Sequence, residues 1–218
     1  MTAPSPTRLH HELPEARTGA AVADARGAVI AVHGRGATAA SILSLAAELG
    51  LPELHWVAPQ ASGGTWYPYS FLAPLDANEP GLSAGIARLD GLVESLAAGG
   101  IGSHRVALLG FSQGACLALE LAARRPRRYG ALIGFTGGLI GPPDARFDPA
   151  GSLDGTPVFL GAGDPDPHVP WRRVEQTRAV FEGMGARVTA RRYPGMAHTI
   201  NRDELDEARR LLEEMAGG

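Results

Sequence analysis

The stretch RVALLGFSQGACLALELAARR, residues 105–125, decides the fold. It opens as a short apolar run, residues 105–109, of the length of a buried strand, and continues at 112–124 in a helical pattern. Between them stands Gly110-Phe111-Ser112-Gln113-Gly114. A serine made to protrude where a strand turns into a helix needs a backbone with positive φ. Its neighbours two positions away must then lack side chains, and Gly110 and Gly114 meet that demand. The helix also directs its positive end at Ser112, where an anion is stabilised. The Gly-x-Ser-x-Gly spacing alone is a weak signal in a chain with 29 glycines. The strand before it and the helix after it supply the context.

The same alternation runs along the chain. Short apolar strands are expected at 28–32, 55–58, 131–135, 158–160 and 186–193. Helical patterns are expected at 39–49, 82–96, 171–183 and 203–215, with Asn201 as a cap for the last. Residues 138–157 read as a long loop. Fully apolar strands alternating with helices imply an α/β fold with a mostly parallel central sheet covered on both faces. No composition break marks a second domain or a separate cap. The expected organisation is a loosely held arm over residues 1–20 and one domain over 21–218.

With 218 residues, the chain can bury a core without disulfides or metals. Its single cysteine cannot form an internal bridge, which fits a reducing, cytoplasmic setting. The net charge of −3 is small and unpatterned, so neither nucleic acid nor an anionic membrane is expected as a partner. The run Arg124, Arg125, Arg127 and Arg128 follows a helix, where cations suit the dipole. No apolar run approaches a membrane span, and the first residues lack the apolar segment of a signal peptide.

Ligands of such sheets gather at the carboxyl ends of the strands. A serine there needs a base, and the base needs an orienting acid. Of seven histidines, His10 and His11 lie in the arm, while His55 and His104 begin strands at the wrong end. His33, His168 and His198 follow strands. His198 comes after the last strand and fits the chain order nucleophile, acid, histidine. His33 is read as holding its own loop, and His168 as a neighbour of the acid. The acid should follow the strand at 158–160, where Asp164 and Asp166 both qualify and spacing does not choose. Oxyanion donors are expected from the Gln113 N–H and from the loop His33-Gly34-Arg35-Gly36.

AVHGRGA, TWYPYSF, LLGFSQGACLAL and GDPDPHVP…YPGMAHTI, in that order, resemble the phospholipase/carboxylesterase family of α/β-hydrolases, from about Ala28 to the end of the chain. The resemblance implies Ser112 as nucleophile, His198 as general base and Asp166, the aspartate followed by Pro-x-Val-Pro, as the acid. It also implies the backbone N–H groups of Arg35 and Gln113 as oxyanion hole. The family often has leucine where Arg35 stands. That cation either attracts an acidic or phosphate-bearing acyl group or points to solvent, and the second is expected. Ala37 also replaces a residue that is often polar. In TWYPYSF, Trp66, Tyr67, Tyr69 and Phe71 concentrate aromatics in a loop, read as one wall of an acyl or aryl pocket. Leu139 and Ile140 could close the other side. Cys116 is read as a small buried hydrophobe.

The expected function is a serine carboxylesterase acting on small to medium acyl or aryl esters through an acyl-enzyme. It would need no metal or organic cofactor, and would work as a monomer or homodimer. The alternatives are an acyl-protein thioesterase or lysophospholipase, and a non-catalytic α/β-hydrolase that binds a small ligand.

Overall fold

The computed structural model describes Leu9, His10 and residues 13–218. Among these residues seven strands form one sheet: β1 (Glu15–Gly19), β2 (Gly27–Val32), β3 (Leu54–Pro59), β4 (Val106–Phe111), β5 (Ala131–Phe135), β6 (Pro157–Asp164) and β7 (Arg187–Pro194). Their spatial order is β1-β3-β2-β4-β5-β6-β7. Only the β1–β3 pair is antiparallel. The helices are α1 (Ala39–Ile42), α2 (Ser44–Leu49), α3 (Gly81–Ala98), α4 (Gln113–Arg124), α5 (Trp171–Gly183) and α6 (Arg202–Gly217).

The strands bury both faces because successive side chains alternate. Ile30, Val32, Leu108, Leu132 and Leu160 belong to one core with Leu82 and Leu89 of α3, Leu117 of α4 and Phe181 of α5. Val29, Ala31, Leu109, Ile133 and Phe159 belong to a second core with Leu45 and Leu49 of α2 and Leu211 and Leu212 of α6. No described helix is long and apolar enough to cross a membrane.

Three elements differ from expectation: β1, the helix at 39–49, and β6, which runs from Pro157 to Asp164 instead of ending at 160. Glu15–Gly19, placed in the arm, pairs with β3 from Glu15↔Pro59 to Gly19↔His55, so the sheet begins before residue 21. Its charges suit an edge: Glu15 accepts from Arg88 of α3 and from Arg17. Burial opposes ionisation of Glu15, but these two arginines hold its carboxyl below the usual range. His10, also assigned to the arm, is buried. Residues 1–8, 11 and 12, with His11 among them, lie outside the described residues. The helix expected at 39–49 is two short ones, because Thr38 and Ser41 cap one another and close the first turn. Ser44 Oγ then donates to the Ser41 carbonyl, local bonding that competes with a continuous ladder. In the basic run at the end of α4, three arginines are ion-paired, Arg124 with Glu120, Arg125 and Arg127 with Asp90 of α3, and Arg127 also with Glu94, while Arg128 donates to the Asp154 carbonyl.

Asn201 caps α6 as expected, in a reciprocal box with Glu204. Glu204 Oε2 accepts the Asn201 N–H at 2.9 Å. Oε1 is buried without a hydrogen-bond partner among the described residues, against Gly161, where a Cβ would lie 2.2 Å from it. Burial, with Asp203 adding to it, pushes the Glu204 carboxyl up to about 7 from an ordinary 4.5. Between those values the unfolded chain releases a proton that the folded chain keeps, so stability falls as pH rises through that window. Glu204→Gln, which keeps the cap without the charge, is expected to gain roughly 2–3 kcal/mol over wild type at pH 8. The two should converge below the ordinary carboxylate range. Thermal melts of both proteins across pH 4 to 8 check this.

Candidate active site

β4 delivers Ser112 to the carboxyl edge of the sheet. Ser112 has φ 54° and ψ −119°, a conformation costly for a residue with a side chain. Its N–H is fixed to the Phe135 carbonyl of β5 at 2.9 Å. The flanking glycines are sterically required. A Cβ on Gly110 would lie 2.5 Å from Ala115 N and Gly114 C, and one on Gly114 would lie 2.1 Å from Val32 O. Those atoms are backbone and cannot swing aside. The first turn of α4 therefore packs directly on the ends of β2 and β4, which turns Ser112 outward.

His198, in the connection between β7 and α6, places Nε2 2.9 Å from Ser112 Oγ. Its Nδ1 lies 2.8 Å from Asp166 Oδ2. With Nδ1–H donating to the carboxylate, Nε2 is left to accept the serine proton. The Asp166 side chain is fully buried. Its Oδ1 accepts the N–H groups of His168 and Val169, each at 2.8 Å. Burial works against the charge, but these donors and His198 outweigh it and keep the carboxyl below the usual range. Asp164, the alternative acid, ends β6 and pairs with Arg192 of β7. His168 sits edge-on to His198, with ring centres 4.8 Å apart.

The loop after β2 lies across from this chain of bonds. His33 Nδ1–H donates to the Gly34 carbonyl at 2.8 Å, and its Nε2 accepts from Ala61 N–H at 3.1 Å. Burial holds the His33 pKa below the ordinary value, despite the bond to Gly34. His33 is thus a neutral brace for its own loop, as its sequence position suggested. Among the described residues, no protein group accepts from the N–H of Arg35 or of Gln113.

A cavity of about 600 Å³ opens beside Ser112 and His198, and Tyr67, Phe71, Cys116 and Val169 also line it. Tyr67 and Phe71 stand where the sequence placed them. Trp66, Leu139 and Ile140 do not line it. Trp66 is buried beneath the loop, its Nε1–H donating to the His33 carbonyl at 2.9 Å. Leu139 and Ile140 are buried because the loop's polar groups bond inward: Ile140 N–H to Glu120, and the Leu139 carbonyl to Arg173. Leu139 faces a separate hollow of about 370 Å³. Cys116 is buried, and burial pushes its thiol up to about 12, so it is no thiolate nucleophile.

The sequence profile of the phospholipase/carboxylesterase family matches residues 15–216. The chain belongs to that family. It is similar to an acyl-protein thioesterase 1 of Gibberella zeae, 31% identical over 122 residues, 52% of this chain and 49% of that one. In that alignment the chain spans about half the relative's length. An acyl-protein thioesterase 1 of Saccharomyces cerevisiae is 27% identical over 88% of this chain and 93% of its own. A crystal structure of a phospholipase/carboxylesterase from Dyadobacter fermentans superposes with a TM-score of 0.89 at 43% identity, covering 93% of this chain and 97% of that one.

Arg35 is exposed, as expected, and lines the cavity, but its guanidinium is engaged by the chain instead of standing free in solvent. Its guanidinium donates to Thr65 Oγ1 and to the carbonyls of Tyr67, Pro68 and Tyr69, at 2.6–3.0 Å. The Gln113 side chain holds the same segment: Oε1 accepts from Trp66 N–H at 3.0 Å and Nε2 donates to the Tyr67 carbonyl at 2.8 Å. The two residues whose N–H groups are available beside Ser112 thus also fasten the aromatic wall. From below, His10 Nδ1 accepts the Ser62 N–H and its Nε2 contacts the Trp66 carbonyl, both at 3.1 Å. His10 and the Gln113 side chain were not singled out in the sequence, because each contact joins residues about fifty positions apart. Arg35→Leu is expected to loosen residues 65–71, raising KM for esters about three- to tenfold with a smaller change in kcat, in line with the loss of 1 kcal/mol or so of net hydrogen bonding. Steady-state kinetics with limited proteolysis of the loop measure both parts.

Proposed function

We propose that this protein is a serine carboxylesterase. In this reading it cleaves carboxylic esters of small to medium acyl or aryl substrates through an acyl-enzyme. The observation that carries it is the unbroken chain Ser112 Oγ–His198–Asp166, at 2.9 and 2.8 Å, on the wall of an open cavity. Ser112 Oγ attacks the carbonyl carbon as His198 Nε2 takes its proton. The oxyanion settles against the N–H groups of Arg35 and Gln113, whose donors are free to receive it. His198 then passes the proton to the leaving oxygen, and Asp166 stabilises the imidazolium that forms in between. Water deprotonated by His198 releases the acid. No step calls for a metal or an organic cofactor.

The acyl-protein thioesterases among its relatives favour a second reading, cleavage of a thioester by the same groups. Hydrolysis of p-nitrophenyl esters from acetate to palmitate, beside matched acyl thioesters, separates the two. The carboxylesterase reading expects an optimum at short to medium chains and kcat/KM at least as high for esters. A long-chain optimum with thioester preference moves the assignment to thioesterase. Inertness to every substrate overturns both.

A further inference from the structure

A second, smaller cavity of about 210 Å³ adjoins the catalytic one. The two share Gly34, Ala37 and Phe111 as a common wall. Its largest lining side chains are apolar, Ile42 and Leu45 from the helices after β2, Phe111, and Ile200 from the connection after His198, while the polar ones, Ser41, Ser44 and His33, are hydrogen-bonded within their own segments. Nothing in the chemistry described so far uses it.

Resting on the serine-esterase reading above, we propose that this cavity is the leaving-group pocket and that it takes the apolar alcohol portion of the ester. The argument follows from the four substituents of the tetrahedral intermediate. One is Ser112 Oγ. The oxyanion points to the N–H groups of Arg35 and Gln113. The leaving oxygen must face His198 Nε2, since it receives its proton there. The acyl chain takes the direction that remains. Phe111 packs against His198, with ring centres 5.1 Å apart, and Ile200 is two residues beyond His198. Ser112, His198 and, on the other flank of the imidazole, His168 line the larger cavity, whereas Phe111 lines both cavities and so offers the alcohol portion an apolar path from His198 Nε2 toward Ile200 and the small one. The acyl chain is left with the wall of Tyr67, Phe71 and Cys116 in the larger cavity.

In the step concerned, the Ser112 Oγ–carbon bond forms and the carbon–alkoxy bond breaks. The proton taken from Ser112 goes from His198 Nε2 to the alkoxy oxygen, and the neutral alcohol departs. The cavity has room for roughly seven water-sized groups. That suits a hexyl or benzyl alcohol, with an apolar lining that offers it no charged partner. The same pocket should receive an acceptor alcohol when the acyl-enzyme is cleaved by alcohol instead of water.

The test uses propanoate esters of methanol, hexan-1-ol and benzyl alcohol, with methyl hexanoate as the acyl-length control, against wild type, Ile200→Trp and Ile42→Ala. The readout is the kcat/KM ratio of hexyl to methyl propanoate, in which a general loss of activity cancels. Removing contact with about two methylenes should lower that ratio about tenfold in Ile200→Trp. Ile42→Ala, which widens the pocket, should shift the preference toward benzyl propanoate. Partitioning of the propanoyl-enzyme to hexan-1-ol over methanol should fall in Ile200→Trp in step with the ester ratio. If the hexanoate-to-propanoate ratio falls instead, the cavity holds the acyl chain and the assignment is overturned. Wild type that hydrolyses the esters, with neither variant changing the alcohol ratio, also overturns it and leaves the serine-esterase reading standing. Wild type inert to the whole set overturns both.

Discussion

Ser112→Ala is expected to lower ester hydrolysis by roughly 10⁵- to 10⁶-fold, because the nucleophile and its base act as one unit and removing either removes the covalent route. What survives is whatever the Arg35 and Gln113 N–H groups and the cavity give to direct attack by water. The fold should be unaffected. Ser112 Oγ bonds only His198 among the described residues, and its N–H bond to Phe135 is main chain. Alanine inherits the strained φ of 54°, so its melting temperature should match wild type within a few degrees. Ser112→Gly is the informative companion. It is equally inactive but accepts positive φ freely, and should melt higher by the equivalent of about 1 kcal/mol. Calorimetry on the three proteins, with single-turnover assays of p-nitrophenyl acetate, measures both effects. Turnover of Ser112→Ala within a hundredfold of wild type would remove Ser112 from the nucleophile's role.

That strain was legible beforehand, because Gly110 and Gly114 are chemical consequences of it. Two missing side chains at fixed offsets report a close backbone approach, here of α4 to β2 and β4. The parallel core was legible for a similar reason. Strands buried on both faces carry unbroken apolar runs, and residues 27–32, 106–111 and 131–135 do so. β1 was not legible, because EARTG carries neither run nor alternation. Its place in the sheet comes from main-chain pairing with β3, which leaves no mark on side-chain pattern. The long reach of β6 to Asp164 was hidden too: Gly161 and Gly163 lower strand propensity, but their missing side chains admit Glu204 and the backbone of Met196.

Within the candidate site, positions tied to a local feature were legible, and side chains held by distant contacts were not. His198 and Ser112 are tied to strand ends and chain order. Arg35 is defined by carbonyls more than thirty positions away. A local reading could weigh solvent against an anionic substrate for it, but not a guanidinium that stays exposed while it holds the carbonyls of a distant loop. Leu139 and Ile140 illustrate the converse error. Apolar residues at the mouth of a sheet look like pocket lining, but here the buried Arg173 and Glu120 take up the polar groups of their backbone and draw them inside.

Asp166→Asn is expected to lower kcat about 10³- to 10⁴-fold with little change in KM, whereas Asp164→Asn should change kcat by less than about threefold. Spacing left these two aspartates equivalent; their surroundings separate them. The Asp166 carboxylate takes three donors, His198 Nδ1 and the N–H groups of His168 and Val169. The amide of asparagine can satisfy the backbone donors with its oxygen, but then turns an NH₂ group toward His198. That favours the tautomer with the proton on Nε2, which cannot accept from Ser112, and gives no charge to stabilise the imidazolium. Asp164 carries a partly exposed pair with Arg192, whose loss should cost at most about 1 kcal/mol of stability and nothing at the serine. The pH dependence provides a second check. Because the Asp166 carboxyl titrates below the usual range, the Asp166–His198 pair contributes stability that is present above the ordinary carboxylate pKa and lost only as pH falls through the lower folded value. Asp166→Asn should therefore be less stable than wild type at neutral pH, by an amount that shrinks toward pH 3, while Asp164→Asn stays within about 1 kcal/mol of wild type. Loss of rate larger in Asp164→Asn than in Asp166→Asn would reverse the assignment of the acid and, with it, the geometry on which the imidazole's role depends.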